Sequence, residues 1–320
     1  MRGVTVTRLI CGVLLLGSMD PHLLRSQQHA GARLRLEEVW AVQVPQGLVL
    51  AGGRLISRDR LLAWTQNPPS VLFIGRDSVS VLGRGFLLRP VAARPVSGSD
   101  HEIEVLDAGR GAFVRLATTG EIVEQSELRG AFESMDIESA TYAGERWFFA
   151  GRATAGGYRW GIVSHAITDQ SDLILVQVAD PDRRISGHLS RDGKGAMFTE
   201  IGQPFSIRRV PGVVDTARFI RPAGLEGLLP SPDSVSTGWI SLPALQLDHG
   251  FVQVLSDLRS SRRILVRYSP MGETVSVIEI DVPLGFMDTL PVDRLLLATR
   301  STLGGLELVV YEWRWSAGPW

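Results

Sequence analysis

A repeating pattern of short apolar runs is the feature of this sequence that most constrains its fold. Six runs of four or five residues recur along the chain, and their first residues are 41, 45, 49, 55 and 43 residues apart. Turns rich in glycine, proline, serine and aspartate separate them, as is typical of β-strands. A repeat of about 40–50 residues that holds several strands has the size of one β-propeller blade. The runs are Leu61–Trp64, Glu102–Leu106, Trp147–Ala150, Ala196–Thr199, Phe251–Leu255 and Arg294–Ala298.

Each run is followed by a second apolar segment, and some repeats continue through a glycine turn, at Gly120 or Gly272, into a third. The residues before each run would supply an innermost strand. The pattern therefore predicts an all-β chain folded as a six-bladed β-propeller; a seven-bladed propeller or another all-β array stays open as an alternative. The second segments are Val71–Ile74, Ala112–Leu116, Tyr158–Val163, Phe205–Val210, Ile264–Tyr268 and Leu306–Tyr311.

The two ends of the repeat region predict how the ring closes. Val39–Val44 precedes the first repeat without a blade of its own, and the sixth repeat stops near Trp315 after its third strand. An N-terminal strand that completes the last blade would leave no open sheet edge. We therefore predict one domain over residues 33–320. Residues 211–238 are rich in glycine and proline and are interpreted as a long loop, either functional or a surface insertion.

The N-terminal residues resemble an export signal. Leu9–Met19 is an eleven-residue apolar stretch, too short to span a bilayer, which takes about 20 residues. It fits the apolar region of a secretory leader covering residues 1–32; an ordinary N-terminus is the alternative. We expect a periplasmic or secreted protein whose mature chain has no membrane span. The only cysteine, Cys11, lies in the leader, so a mature chain would have no disulfide.

Two segments resemble known repeats. Leu189–Glu200 (LSRDGKGAMFTE) is similar to the TolB-type propeller repeat, with Arg191 in place of the usual proline. Ile264–Ile280 (ILVRYSPMGETVSVIEI) resembles NHL-type and related six-bladed repeats. The resemblance implies a bacterial periplasmic or secreted propeller, of a kind that often binds proteins, peptides or small ligands. It assigns no catalytic residue.

Composition excludes several functional classes. A net charge of −1 argues against binding to nucleic acid. Propellers of the calcium-dependent lactonase type hold their ion with several asparagines, whereas Asn67 is the only asparagine of this chain. No G-x-S-x-G nucleophile motif is present in the sequence. We expect no cofactor and no bound metal, and we expect a monomer.

Candidate ligand-binding residues come from the innermost strands, which line the channel of a propeller. Asp136 and Glu138 are two positions apart on one strand, so they could share a face and bind a cation or act as acid and base. An ion pair with an arginine of a neighbouring blade is the alternative. His188 could face the channel or be an ordinary hydrogen-bonded histidine. The candidates are Arg89, Asp136, Glu138, Arg184, His188 and Trp239.

Three functional hypotheses follow from these residues. The leading one is a non-catalytic exported scaffold that binds a protein, a peptide or a small ligand at one mouth of the ring. The alternative is a metal-dependent hydrolase or lyase that uses His188 and the acidic pair in the central channel. The third is a structural part of an envelope assembly that docks through the loop at 211–238.

Overall fold

The structure of the chain is a computed structural model. It describes residues 33–128, 135–153, 159–166, 172–177, 186–193, 195–201, 207–210, 218–220, 238–260, 262–279 and 284–316. Three predictions of the sequence analysis lie wholly or largely outside these residues: the leader at 1–32, Arg184, and the loop at 211–238 apart from its strand at 218–220 and Gly238.

The strands form six antiparallel sheets, which are the blades of the propeller. Blade 1 contains β2 (Val49–Ser57), β3 (Arg60–Asn67), β4 (Pro69–Gly75) and β5 (Ser78–Leu82). Blade 2 contains β6 (Pro90–Pro95), β7 (Glu102–Asp107), β8 (Ala112–Ala117) and β9 (Ile122–Glu127). Blade 3 contains β10 (Met135–Ala143), β11 (Arg146–Ala153), β12 (Arg159–Ala166) and β13 (Asp172–Gln177).

The second half of the ring continues this arrangement. Blade 4 contains β14 (Gly187–Asp192), β15 (Gly195–Glu200), β16 (Ile207–Val210) and β17 (Arg218–Ile220). Blade 5 contains β18 (Trp239–Ser241), β19 (Leu245–Leu247), β20 (Gly250–Asp257), β21 (Arg263–Tyr268) and β22 (Thr274–Glu279). Blade 6 contains β23 (Leu284–Leu290), β24 (Leu295–Thr302), β25 (Gly305–Ser316) and β1 (Arg33–Gln43), with a short 3₁₀ helix at Pro291–Asp293.

The predicted fold class is confirmed. All six apolar runs of the sequence fall on the second strand of a blade, namely β3, β7, β11, β15, β20 and β24. In every blade the strand before the run is the innermost one. The chain is a six-bladed β-propeller. Within the residues described, no helix is long and apolar enough to cross a membrane.

The N-terminal strand closes the ring as the sequence predicted. β1 is the outermost strand of blade 6 and pairs antiparallel with β25, with Arg33 opposite Ser316 and Gln43 opposite Glu307. Blade 6 thus combines strands from both ends of the chain, and the outer edge of β25 is covered.

Period-two alternation builds the core between neighbouring blades. On β11, Trp147 and Phe149 pack against Leu106 of blade 2, whereas Phe148 packs against Leu189 of blade 4. All three aromatic side chains are fully buried. Because successive side chains of a strand point to opposite faces, one apolar run fills two interblade cores.

One outer strand and one inner strand depart from the regular blade. Arg218–Ile220 pairs with β16 as the outermost strand of blade 4, although it lies inside the segment interpreted as a loop. In blade 5 the inner strand is split into β18 and β19, which both pair with β20, and Leu242, Pro243 and Ala244 lie between them. Proline interrupts the strand here because it has no N–H to donate to the ladder.

Candidate functional site

The inner strands of four blades carry a β-bulge at the same level of the channel. In each of them one residue is inserted opposite the end of the apolar run of the second strand, where it has no partner. Bulges re-aim a side chain and are common next to binding and catalytic sites. The bulged residues are Ala51 in blade 1, Val91 in blade 2, Glu138 in blade 3 and Met287 in blade 6.

The other two blades supply a residue at this level by different means. His188 of blade 4 lies on a regular strand opposite Thr199, and Leu242 of blade 5 lies in the break between β18 and β19. All six residues line one cavity of about 500 Å³ at a mouth of the central channel. The site is therefore a ring with one side chain from each blade, which we call the bulge ring: Ala51, Val91, Glu138, His188, Leu242 and Met287.

One aromatic side chain reaches the cavity because a glycine faces it. Gly52 lies opposite Trp64, and a Cβ atom on Gly52 would come within 2.4 Å of the Trp64 indole. A glycine inside a strand often marks such a close approach. The half-buried Trp64 ring can therefore lie against β2 and form part of the cavity wall.

Below the bulge ring an ion pair crosses the channel. Arg191 of blade 4 donates from Nη2 to Asp288 Oδ2 of blade 6 at 2.7 Å; Asp288 is buried and Arg191 is largely buried. The same Asp288 oxygen accepts the backbone N–H of Leu55 in blade 1 at 2.8 Å. Arg191 Nη2 also lies 3.3 Å from the Leu55 carbonyl oxygen. These contacts provide hydrogen-bond partners for the N–H and C=O of Leu55 at the inner edge of β2, where no further strand pairs with the backbone.

Arg54 lies beside this ion pair and lines the cavity. Its Nη1 donates to the Tyr142 carbonyl oxygen of blade 3 at 2.8 Å, and its guanidinium carbon is 5.5 Å from the centre of the Tyr142 ring. Burial, with the positive charge of Arg191 as a second cause, lowers the pKa of Arg54 to about 10. The guanidinium is still cationic at neutral pH, because that pKa is well above 7.

The two acidic candidates each pair with an arginine. Asp136 accepts from Arg89 of blade 2 at 2.7 Å, and Glu138 lies 3.5 Å from Arg152 on the neighbouring strand. The bulge at Glu138 interrupts the alternation on which a shared face depended. Burial, opposed by Arg152, raises the pKa of Glu138, and its Oε2 atom has no hydrogen-bond partner among the described residues.

His188 is a neutral imidazole on the cavity wall. Burial lowers its pKa to about 4, so the ring carries no charge at neutral pH. The described part of the chain holds no group of three or more His, Cys, Asp or Glu side chains that could bind a metal ion. The ligand set that the hydrolase or lyase hypothesis needs is therefore not assembled around His188 by these residues.

The structure brings together only some of the predicted site residues. Glu138 and His188 line the cavity, and Arg89 with Asp136 forms an ion pair next to Glu138. Trp239 is 6% exposed and packs between blades 4 and 5 with Phe251 and other apolar side chains, so it belongs to the core and not to the cavity wall. Arg184 lies outside the described residues.

Comparison with known proteins shows the fold alone. No family model matches the sequence, and no curated protein is detectably similar to it. A solved structure of a DUF4221 family member from Bacteroides vulgatus is 9% identical with a TM-score of 0.56, covering 90% of this chain and all (100%) of that one. A luciferin-regenerating enzyme is 11% identical with a TM-score of 0.55, covering 88% and 95% of the two chains. A putative exported protein from Bacteroides fragilis is 8% identical with a TM-score of 0.52, covering 89% and 96%.

Sequence reasoning did not identify Arg54, Arg191 or Asp288 as site residues. Each lies on an inner strand, so the strand assignment alone was enough to nominate them. The signal that distinguishes Arg54 and Asp288 is a charged residue after a run without charges on an inner strand: Arg54 follows Leu50–Gly53, and Asp288 follows Gly285–Met287. Arg191 has no such signal, because its strand also holds His188, Ser190 and Asp192.

Proposed function

We propose that the protein is a non-catalytic binding protein that holds a small ligand in the cavity inside the bulge ring. The observation that carries the proposal is the set of four bulges at one level of the channel, which turns one side chain of each affected blade toward a common space. A bulge gives up regular pairing, so its repetition in four blades argues for a use of that space.

The size and lining of the cavity support this function. A volume of about 500 Å³ lies in the range of about 300–1,000 Å³ that is typical of small-molecule sites. Its walls combine apolar side chains, among them Val91, Leu242 and Met287, with a few polar groups, among them Glu138 and His188. Such sites gain affinity from the apolar walls and orientation from the polar groups.

The charge pairing favours binding over acid–base catalysis. Glu138 pairs with Arg152, and Asp288 with Arg191. His188 makes no hydrogen bond to another described residue that would orient it as a general base, a role in which histidine is normally held by a partner. Neither a nucleophile with its base nor a pair of free carboxylates is present among the described cavity residues.

We also propose that the protein acts outside the cytoplasm. The apolar stretch Leu9–Met19 within residues 1–32 supports this location. The similar fold of the exported protein from Bacteroides fragilis is consistent with it. The proposal includes a single propeller domain and a monomer.

The cavity function is tested with a neutral fluorescent probe, 1-anilinonaphthalene, whose emission rises in apolar surroundings. We expect one probe to bind per chain of the wild type. Ala51→Trp fills the cavity from the bulge ring and should weaken binding at least about tenfold, equivalent to about 1.4 kcal/mol. Val123→Trp adds the same side chain at an exposed position of β9 and should bind as the wild type does. Equal binding by all three proteins would overturn the proposal.

A further inference from the structure

The cavity is lined by a guanidinium, that of Arg54, whose charge no carboxylate of the described residues balances. Asp288 pairs with Arg191 at 2.7 Å, and Glu138 with Arg152 at 3.5 Å. Arg54 forms no ion pair with any residue that the structure describes, and its one hydrogen bond there goes to the neutral carbonyl of Tyr142. A guanidinium has five N–H donors, so most of those on Arg54 are left for a ligand.

The charges around Arg54 add to this imbalance. The ionisable groups that act on it most strongly are Arg191 and Asp288, followed by Tyr142 and then Arg94. Arg94 is itself paired with Glu104 at 2.7 Å, and the Asp288 charge is already shared by Arg191 and the Leu55 N–H. Among the described residues, Arg54 is therefore the surplus positive charge at the inner end of the cavity, where partial burial makes an uncompensated ion costly.

An anionic ligand would remove this cost. A carboxylate or sulfonate accepts two parallel hydrogen bonds from a guanidinium, and such charge-assisted bonds are about twice as strong as neutral ones. We propose that the ligand is a small apolar molecule with a single oxyanion group and that Arg54 binds this group. This inference rests on the proposed cavity function and specifies the chemical class of its ligand.

The positions along β2 place the two ends of such a ligand. Ala51 is exposed and Gly53 is buried, and the half-buried Arg54 is the next residue along the strand, level with the ion pair of Arg191 and Asp288. The oxyanion would therefore lie at the inner end of the cavity. Its apolar body would contact Val91, Leu242 and Met287 of the upper wall and the Trp64 ring.

A matched pair of probes separates the charge from the cavity. 8-Anilinonaphthalene-1-sulfonate has the same ring system as 1-anilinonaphthalene and adds one sulfonate. We expect wild-type protein to bind the sulfonate at least about tenfold more tightly than the neutral probe, the value of one charge-assisted hydrogen bond. Equal affinities would overturn the inference and leave the cavity function standing. Binding of neither probe would overturn both.

Substitutions then locate the anion. In Arg54→Gln the ratio of the two dissociation constants should fall to about one, because the charge is lost. Arg54→Lys keeps the charge without the planar fork, and its ratio should lie between those of Arg54→Gln and the wild type. Arg76→Gln removes an exposed arginine that pairs with Asp59 outside the cavity, and it should keep the wild-type ratio. A wild-type ratio in Arg54→Gln would overturn the assignment to Arg54.

Circular dichroism of each variant establishes that it is folded before its ratio is used. If Arg54→Gln does not fold, the comparison of the two probes on wild-type protein still decides whether the cavity prefers an anion, and Arg54→Lys decides whether Arg54 is responsible. An unchanged ratio in a folded Arg54→Lys would contradict the fork-shaped contact and overturn the assignment of the anion to Arg54.

Discussion

At the scale of single residues, the channel keeps one imidazole neutral. His188 lies on the cavity wall, and burial lowers its pKa to about 4, whereas a histidine in an unfolded chain titrates near about 6.5. Below that pH the unfolded chain takes up a proton that the folded chain does not bind. Stability that is complete above about pH 6.5 must therefore be lost as the pH falls toward 4.

This gives a prediction for His188→Gln. The wild type should lose up to about 3 kcal/mol of unfolding free energy between about pH 7 and pH 4 through this residue, since one pKa unit corresponds to about 1.4 kcal/mol. Between the same two pH values, His188→Gln should lose less unfolding free energy than the wild type, and the difference should equal this contribution. Urea unfolding at both pH values measures the difference. His249→Gln, at an exposed turn, is the control and should keep the wild-type pH dependence; the same dependence in His188→Gln would contradict the prediction.

The residue scale is also where sequence reasoning was weakest. His188 and Glu138 could be nominated because both precede an apolar run and so belong to inner strands. The period-two pattern does not predict a bulge, so the four bulged members of the bulge ring, Ala51, Val91, Glu138 and Met287, could not be derived. Trp239 lies on an inner strand as well, but its ring packs in the core between blades 4 and 5 and not toward the channel.

At the scale of elements, the closing strand is held mainly by its apolar face. Trp40 of β1 is 8% exposed and packs with Leu55 of blade 1 and Leu308 of blade 6. Its indole N–H donates to the Arg58 carbonyl oxygen at 2.7 Å. Ion pairs add to this at the surface, where Arg300 bridges Glu38 of β1 and Glu307 of β25. These two carboxylates outweigh the effect of burial and raise the pKa of Arg300.

Trp40→Ala is therefore expected to weaken the closure. The substitution removes a buried ring and its hydrogen bond, which should lower the unfolding free energy by about 3–5 kcal/mol. Arg35→Ala, on the exposed face of the same strand, should change it by less than about 0.5 kcal/mol. Denaturant unfolding of the two variants gives the comparison, and a loss below about 1 kcal/mol for Trp40→Ala would show that β1 contributes little.

Most of the strands could be predicted from the sequence. Alternating apolar residues and glycine turns located the second and third strands of the blades, because these strands are buried on both faces and joined by tight hairpins. β17 escaped because Arg218–Ile220 is short and stands among glycines and prolines. Its pairing with β16 depends on contacts between distant residues, which the strand propensity of the segment does not reveal.

At the scale of the whole molecule, the ring closes because β1 pairs with β25. This pairing does not depend on the order in which the strands follow one another along the chain. Arg33 of β1 lies opposite Ser316 of β25, and the connection from β1 to β2 runs through the turn at Gly47. The end of β25 and the start of β1 are therefore neighbours. Blade 6 needs both strands side by side, whichever way they are linked.

A circular permutant tests this view. The permutant begins at Gly47 and carries residues 33–46 after Ser316, joined by a short glycine–serine linker. It should unfold in one transition within about 1 kcal/mol of the wild type, because doubling a loop length changes the free energy by only about 0.6 kcal/mol. A truncated chain of residues 47–316 exposes the edge of β25 and should be less stable and prone to associate. Equal stability of permutant and truncation, measured by thermal unfolding and size-exclusion chromatography, would contradict the role of β1.

The bulge ring has a consequence for how such a protein can change its ligand. A bulged residue has no counterpart on the next strand, so Ala51, Val91 and Met287 can be exchanged without shifting strand register. Val91 and Met287 also pack against the edges of two interblade cores, so replacements there must keep an apolar side chain of similar size. Each blade then contributes one interchangeable position to a shared wall. Evolution or protein design could therefore alter ligand specificity by substitutions in one blade at a time, while the rest of the propeller stays the same.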